Sequence, residues 1–302
     1  MNTVRLLSHA KLNLTLDLTG VKDGYHTLDS LVVTVNLADK IIARKRRDAL
    51  ISVTMHGKGS EYIPPEENQA VRAGEKFVAA FDTLGADITV YKNIPQGAGL
   101  GGSSADAAGV INALAKLYNI DDKVKLKALA DTLGSDTGYM LGGGLARLTG
   151  RGEEVERLPL TPEMNFLLLT PPEGVSTRDC YAAYDELALS PQKPRTERCI
   201  EALLGMGVGE ASKLFGNDLY EPARTLNPEV ELALKELKSF SPSGACMTGS
   251  GSAVFALFET QELCAWAKSR YRGKFRAYPL KAVYPARKRG SIFHNPYSAE
   301  GD

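Results

Sequence analysis

The residue types best suited to chemistry are concentrated in two glycine-serine segments. The first runs Pro95-Gln96-Gly97-Ala98-Gly99-Leu100-Gly101-Gly102-Ser103-Ser104-Ala105-Asp106, between an expected strand at Ile88 to Tyr91 and a strongly periodic helix. Glycines let backbone amides approach an anion closely, and a helix starting there adds unsatisfied N–H groups and the positive end of its dipole. Ser103 and Ser104 add hydroxyls suited to phosphate or to a metal-bound phosphate. The same residues also read as a glycine-rich turn with Ser104 as an ordinary helix N-cap. The second segment, Thr248-Gly249-Ser250-Gly251-Ser252, directly precedes an expected strand at Val254 to Phe258. Alone it is a tight turn; two amide-rich loops converging on one polyphosphate would be a site. The P-loop pattern is absent, because no lysine follows the glycines. Gly97, Gly99 and Gly102 satisfy GxGxxG formally. However, Lys92 to Pro95 separate the strand from the first glycine, and the next helix leads to another helix instead of a strand ending in a ribose-binding acid.

Three further positions carry titratable groups of interest. Asp136, in Gly134-Ser135-Asp136-Thr137-Gly138, either caps the backbone of its loop or accepts a proton from an attacking hydroxyl. Lys11 is either solvated or neutralises phosphate charge near that acid. His26, in Asp23-Gly24-Tyr25-His26, is a loop imidazole next to an aromatic ring. His9, His56 and His294 make no metal-ligand spacing with one another or with the four cysteines, all of which lie in the second half without a CxxC pair. Reduced thiols in the cytoplasm are the expectation. Arg44-Lys45-Arg46-Arg47 lacks interleaved aromatics, so it reads as a solvated strand end and not a nucleic-acid patch.

Positioning these residues falls to a chain of 302 residues with 36 Lys+Arg, 36 Asp+Glu and zero formal net charge. That balance removes the electrostatic argument for a dedicated nucleic-acid or membrane-surface protein. The longest apolar run is Ala253 to Phe258, far short of a membrane span, and the first residues lack an apolar signal core. The length suggests two domains, 1–157 and 158–302. Leu12, Leu14, Leu16 and Leu18 alternate with Lys11, Asn13, Thr15 and Asp17, the period of a strand with one buried face and Lys11 and Asn13 together on the other. Further strands are expected at Leu31 to Leu37, Lys40 to Arg44, Ile51 to Met55, Leu145 to Leu148 and Phe166 to Leu169. Ala107, Val110, Ile111, Leu114 and Tyr118 mark a helix starting near Ala105; Lys123 to Leu133 mark a second, with Gly134 as its C-cap. Helices are also expected at 196–205, 228–238 and 260–272, and the tail after Pro285 reads as a loose end. Strands and helices interleave without strict βαβ alternation, which makes the class α+β.

In combination, the Pro95 to Ala108 stretch and the Met247 to Ala253 stretch resemble the ATP-phosphate loop and the C-terminal glycine motif of the GHMP kinase superfamily, kinases of small molecules. Within it, Ala10-Lys11-Leu12-Asn13-Leu14, Asp23-Gly24-Tyr25-His26-Thr27-Leu28, Asn217-Asp218-Leu219 and Met247-Thr248-Gly249-Ser250-Gly251 are similar to the branch acting on a cytidine diphosphate-linked methylerythritol in the non-mevalonate isoprenoid route. The resemblance spans roughly residues 8 to 258. It implies a ribosomal-protein-S5-like N-terminal domain, a ferredoxin-like C-terminal domain and a site in the cleft between them.

It also implies ATP and Mg²⁺, a small-molecule acceptor, a cytoplasmic location, no nucleic-acid or membrane partner, and a monomer or homodimer. Asp136 would be the base for the 2-hydroxyl, oriented by Lys11. Pro95, Gly97, Ala98, Gly99, Leu100, Gly101, Gly102, Ser103 and Ser104 would hold the ATP phosphates, with Ser104 a Mg²⁺ contact. Gly249, Ser250 and Gly251 would flank the phosphates, and Asn68 and Lys92 would reach the adenine side. Asn13 would touch the methylerythritol hydroxyls, and Tyr25, His26, Thr177 and Tyr181 the cytidine side. The chain departs from this branch where Thr137-Gly138-Tyr139-Met140 follows Asp136 in place of Val-Pro and an aromatic pair. The runner-up is another GHMP kinase with a mevalonate, homoserine or sugar acceptor. A sensor that kept the pocket but lost turnover is a third reading, and a dinucleotide oxidoreductase a distant fourth.

Overall fold

The computed structural model describes residues 2–57, 63–188 and 192–285; the expected loose tail after Pro285 lies outside them. The first half supplies β1 (Thr3–Asn13), β2 (Thr15–Lys22), β3 (Tyr25–Lys45), β4 (Ile51–His56), α1 (Gln69–Phe81) and β5 (Ala86–Tyr91). It continues with α2 (Gly102–Tyr118), α3 (Lys123–Asp131), α4 (Thr137–Met140), β6 (Leu145–Thr149) and β7 (Glu154–Arg157). The second half supplies β8 (Asn165–Thr170), α5 (Thr177–Leu187), α6 (Thr196–Gly205), α7 (Val208–Ser212), β9 (Gly216–Asn217) and α8 (Tyr220–Leu226). It ends with α9 (Glu229–Lys238), β10 (Gly244–Met247), β11 (Val254–Phe258), α10 (Gln261–Arg270) and β12 (Arg276–Lys281).

Two sheets organise these elements. In the larger, the long β3 pairs with β1, β2, β5 and β6; β4 runs parallel to β5 across α1, and β7 extends β6. The smaller is antiparallel in the order β10-β11-β8-β12, with β8 and β11 buried throughout. The sheets are not independent. β9, from the second half, pairs in parallel with β2, and a bridge joins Val35 to Ala282. One apolar cluster draws Leu12, Leu31 and Leu100 together with Phe166, Phe255 and Leu280. A second fills the space between α1, α2 and the larger sheet.

Three expectations need correction. Leu31 to Leu37 and Lys40 to Arg44 belong to one strand, β3, because Asp39 between them is wholly buried and bonded instead of exposed at a turn. The polar side of the first strand is not solvated: Lys11, Asn13, Thr15 and Asp17 are all buried, and β1 gives way to β2 at Leu14. Gly134 does not cap α3, whose C-cap is Thr132 in the right-handed region. The helix of 17 residues, α2, is buried on most of its circumference, as its run of Ala, Val, Ile and Leu demands, and it packs on β1 and β3. That packing sets its N-terminus against Lys11.

Candidate active site

The glycine segment 95–101 forms a loop whose carbonyls face protein. The carbonyl of Gly97 accepts from Val175 N, that of Ala98 from Ala253 N, that of Gly99 from the Thr248 hydroxyl, and that of Leu100 from Lys11 N. Among the described residues, the N–H groups of Gly97 to Gly101 donate to no protein group. The first bond of α2 is Ala105 N to Gly101 O, so the amides of Gly102, Ser103 and Ser104 also lack helical partners. Gly101, at φ +71, is the N-cap; Ser104, expected there in one reading, lies inside the first turn. Anchored carbonyls and unengaged amides at a helix N-terminus are what a polyanion requires. The left-handed backbone at Gly97, Gly99 and Gly101 explains the glycines.

The second glycine segment is built differently. Gly249 N donates to Asn13 Oδ1 at 3.0 Å and Gly251 N to Thr248 O at 3.0 Å, so both glycine amides are engaged internally. Asn217 holds the segment from behind, donating to Met247 O and Gly249 O. A Cβ on Gly249 would stand 2.7 Å from Gly99 O; the two glycine segments therefore touch through backbone. Ser250 shares a hydrogen bond with Thr177 at the start of α5.

Lys11 reaches beneath the first loop. Its ammonium donates to Asn13 Oδ1 and pairs with Asp136 Oδ2 at 3.5 Å; the lysine side chain is 5% exposed and the aspartate 27%. Asn13 is committed on both sides, its amide donating to Ser30 Oγ while its oxygen holds Lys11 and Gly249. Asp136 occupies the N-cap position of α4, yet its carboxylate makes no capping bond. The reading of this side chain as a backbone cap therefore fails, and its second oxygen lies 3.6 Å from where a Cβ on Gly152 would stand.

A cluster of aromatic side chains, the aromatic slot, gathers around His26. His26 stacks on Tyr181 with ring centroids 5.2 Å apart, meets Tyr184 edge-on and pairs with Asp185 through Nε2 at 3.0 Å. Burial first, then the negative charge of Asp136, pushes the Tyr181 phenol up to about 12. Tyr25 stands apart, 54% exposed on the β2–β3 hairpin, with the Arg151 guanidinium 3.7 Å over its ring.

The remaining expected residues are engaged elsewhere. Asn68 caps α1, its side chain accepting from Ala70 N at 3.0 Å. Lys92 is buried between Asp39 and Asp106. Burial works against its ammonium, but the two carboxylates outweigh it and raise its pKa. Pro95 opens the loop, and Ser103 is exposed in the first turn of α2. Sequence reasoning missed Ser30, Arg151, Tyr184 and Asp185, none of which stands in a distinctive pattern. It also missed Arg195, which pairs with Asp17 and Asp218 and ties the two halves together below the slot.

Among the described residues, no three His, Cys, Asp or Glu side chains converge on a metal site. Ser104 Oγ faces the Gly134 backbone, as does the buried Thr137 hydroxyl, which has no partner among the described residues. The Ser104 hydroxyl fits Mg²⁺ carried in on nucleotide phosphates, which keeps most of its shell as phosphate and water.

Among the described residues, no helix is long and apolar enough to cross a membrane. Residues 68–146 match the model of the GHMP kinases N terminal domain, and residues 199–269 that of the GHMP kinases C terminal domain. A 4-diphosphocytidyl-2-C-methyl-D-erythritol kinase from Pelotomaculum thermopropionicum is 36% identical over 272 residues, 89% of this chain and 94% of that protein. A crystal structure of a 4-(cytidine 5′-diphospho)-2C-methyl-D-erythritol kinase superposes with a TM-score of 0.77 at 32% identity, covering 92% of this chain and 99% of the other. A homoserine kinase structure from Cytophaga hutchinsonii shares the fold, with a TM-score of 0.72 at 17% identity over 94% of this chain and 98% of the other.

Proposed function

The chain belongs to the 4-diphosphocytidyl-2-C-methyl-D-erythritol kinases of the GHMP family, and from that premise we propose how its residues move a phosphoryl group from ATP to the 2-hydroxyl of the methylerythritol moiety. The observation that carries the reading is the pair of Lys11 and Asp136, 3.5 Å apart, with Lys11 bonded through its backbone N–H to Leu100 O of the first glycine loop. The ATP phosphates lie on the amides of Gly97 to Ser104, stabilised by the α2 dipole. Gly249, Ser250 and Gly251 wall the other side. Ser104 would touch a Mg²⁺ carried in on ATP, which would supply charge neutralisation at the phosphates.

The acceptor hydroxyl sits at the free oxygen of Asp136. Its proton passes to that carboxylate as its oxygen bonds to the γ-phosphorus and the bond to the ADP oxygen breaks. Lys11, fixed by Asn13, stays within charge range of both the acid and the equatorial phosphoryl oxygens. This is positioning and electrostatics, which is most of what phosphoryl transfer asks of a protein. The cytidine end occupies the slot of His26, Tyr181 and Tyr184 near Thr177, with Tyr25 and Arg151 at its outer edge. The four buried, unpaired cysteines fit a reducing cytoplasm.

The test is Mg²⁺-dependent ADP release with the cytidyl substrate, mevalonate, homoserine and galactose. We expect turnover with the cytidyl substrate alone, and a fall of about 10³-fold in kcat for Asp136→Asn with ATP affinity kept. Turnover with a different acceptor would overturn the slot assignment. Full activity in Asp136→Asn would overturn the base.

A further inference from the structure

Behind the glycine loop, away from the cleft, sits a buried cluster that the transfer step leaves unused. The Lys92 ammonium donates to the carboxylate of Asp39, which is wholly buried, and to that of Asp106 at 2.6 Å. The side chains of Lys92 and Asp106 are almost as deeply enclosed as that of Asp39. The other oxygen of Asp39 accepts from the backbone N–H of Asn93 at 2.5 Å and of Ile94 at 2.9 Å. Outside these, the Asn93 side chain donates to Ala38 O at 3.1 Å. Lys92, Asn93 and Ile94 form the stem entering the loop; Asp106 stands just past the first turn of the helix that leaves it. Lys92 Nζ also lies 3.8 Å from where a Cβ on Gly102, the first residue of α2, would be. One strand, β3, thus grips both stems of the loop through a single carboxylate–ammonium–carboxylate bridge.

The loop needs such a grip. Three of its residues, Gly97, Gly99 and Gly101, have left-handed backbone and no side chain to pack, so the cost of ordering it is high. Its convergent, unengaged amides also repel one another until an anion arrives. We propose that Asp39, Lys92 and Asp106 form a clip that holds the loop in its phosphate-binding shape before nucleotide binds, which makes all three positioning residues for ATP. The inference rests on the reading of this loop as the phosphate cradle. Cutting the clip leaves the Lys11 and Asp136 geometry alone and makes nucleotide binding do the ordering. The signature is therefore a raised KM for ATP with kcat preserved.

The experiment uses the full chain with Asp106→Asn, which keeps size and removes the ion pair, and Asp106→Glu, which keeps the charge. Steady-state kinetics vary ATP and acceptor separately, and hydrogen–deuterium exchange follows the amides of residues 93–104 without nucleotide. Asp106→Asn should raise the ATP KM about tenfold or more, leave kcat and acceptor KM within about threefold, and speed loop exchange about tenfold. Asp106→Glu should recover most of both. Asn93→Ala, at an exposed position, should shift ATP KM and exchange about threefold in the same direction, which keeps the test open if Asp106→Asn does not fold. Wild-type loop exchange and ATP KM in the variants that fold overturn the clip, as does a loss confined to kcat. The cradle reading is judged separately. If ATP fails to slow exchange of residues 97–104 in the wild type, that reading falls whatever the variants do.

Discussion

Gly249→Ala tests whether the close approach of the two glycine segments shapes the site. Gly249 has φ +57, where an L-residue costs about 1–2 kcal/mol. Its Cβ would meet Gly99 O at 2.7 Å and Gly99 Cα at 2.9 Å. Ordinary contacts of these types lie near 3.3–3.6 Å, so one backbone has to retreat by about 0.6 Å. Neither neighbour is a flexible side chain that can turn aside. The yielding element is the loop whose carbonyls are pinned on Val175, Ala253 and Lys11, so its amides move relative to Asp136. A misplacement approaching 1 Å at a reacting phosphate costs on the order of 10²-fold; we expect kcat/KM for ATP to fall about thirtyfold. Gly207→Ala is the control. Gly207 also has positive φ, at +89, but a Cβ there meets nothing within 4 Å. It should lose stability with unchanged kinetics. The assay is coupled ADP release beside thermal unfolding of both variants. Wild-type kcat/KM in Gly249→Ala would refute the argument that the cradle is set by contact between the segments.

Three other predictions concern the frame of the site. Asp17 accepts from Arg195 N and Nη1 and from Thr196 N and Oγ1, so Asp17→Asn should cost about 2 kcal/mol, read as a Tm lower by about 3 °C; an unchanged Tm sinks it. Thr137 buries a hydroxyl with no partner among the described residues, and Thr137→Val should raise stability by about 1 kcal/mol in chemical denaturation; a loss of stability would mean the hydroxyl is bonded. Burial pushes Cys180, Cys199 and Cys246 up to about 12 and Cys264 up to about 11. Since the thiolate is the reactive form, a disulfide reagent at pH 8 should label none of the four in the native enzyme and all four after denaturation. The same shift makes their contribution to stability complete below pH about 8.5 and lost as pH rises toward the folded values. Rapid native labelling would contradict both statements.

The parts of the site visible in the sequence are those in which local backbone conformation and chemistry coincide. Gly97, Gly99, Gly101, Gly249 and Gly251 take backbone angles that other residues avoid, so the loops announce themselves as spacing. Lys11 and Asp136 carry no such mark. Their meeting depends on α2 packing against β1, and in the sequence only the resemblance of several motifs in order implies it. The buried carboxylates were hidden for a related reason. Alternation on β1 and β2 separates apolar from polar residues, but it does not say what covers the polar side. In this fold the second half covers it: Thr248, Gly249, Arg195 and Thr196 take the places water would have on an isolated sheet. Asp39 lies between the two strands expected at Leu31 to Leu37 and Lys40 to Arg44, where an acid usually faces solvent. It is instead tolerated within one strand because Lys92 and two backbone amides reach it. A polar strand face with no solvent is thus the mark of a two-part fold whose cleft is lined by its own sheet, and this is why Lys11 and Asn13 are fixed by partners before any ligand arrives.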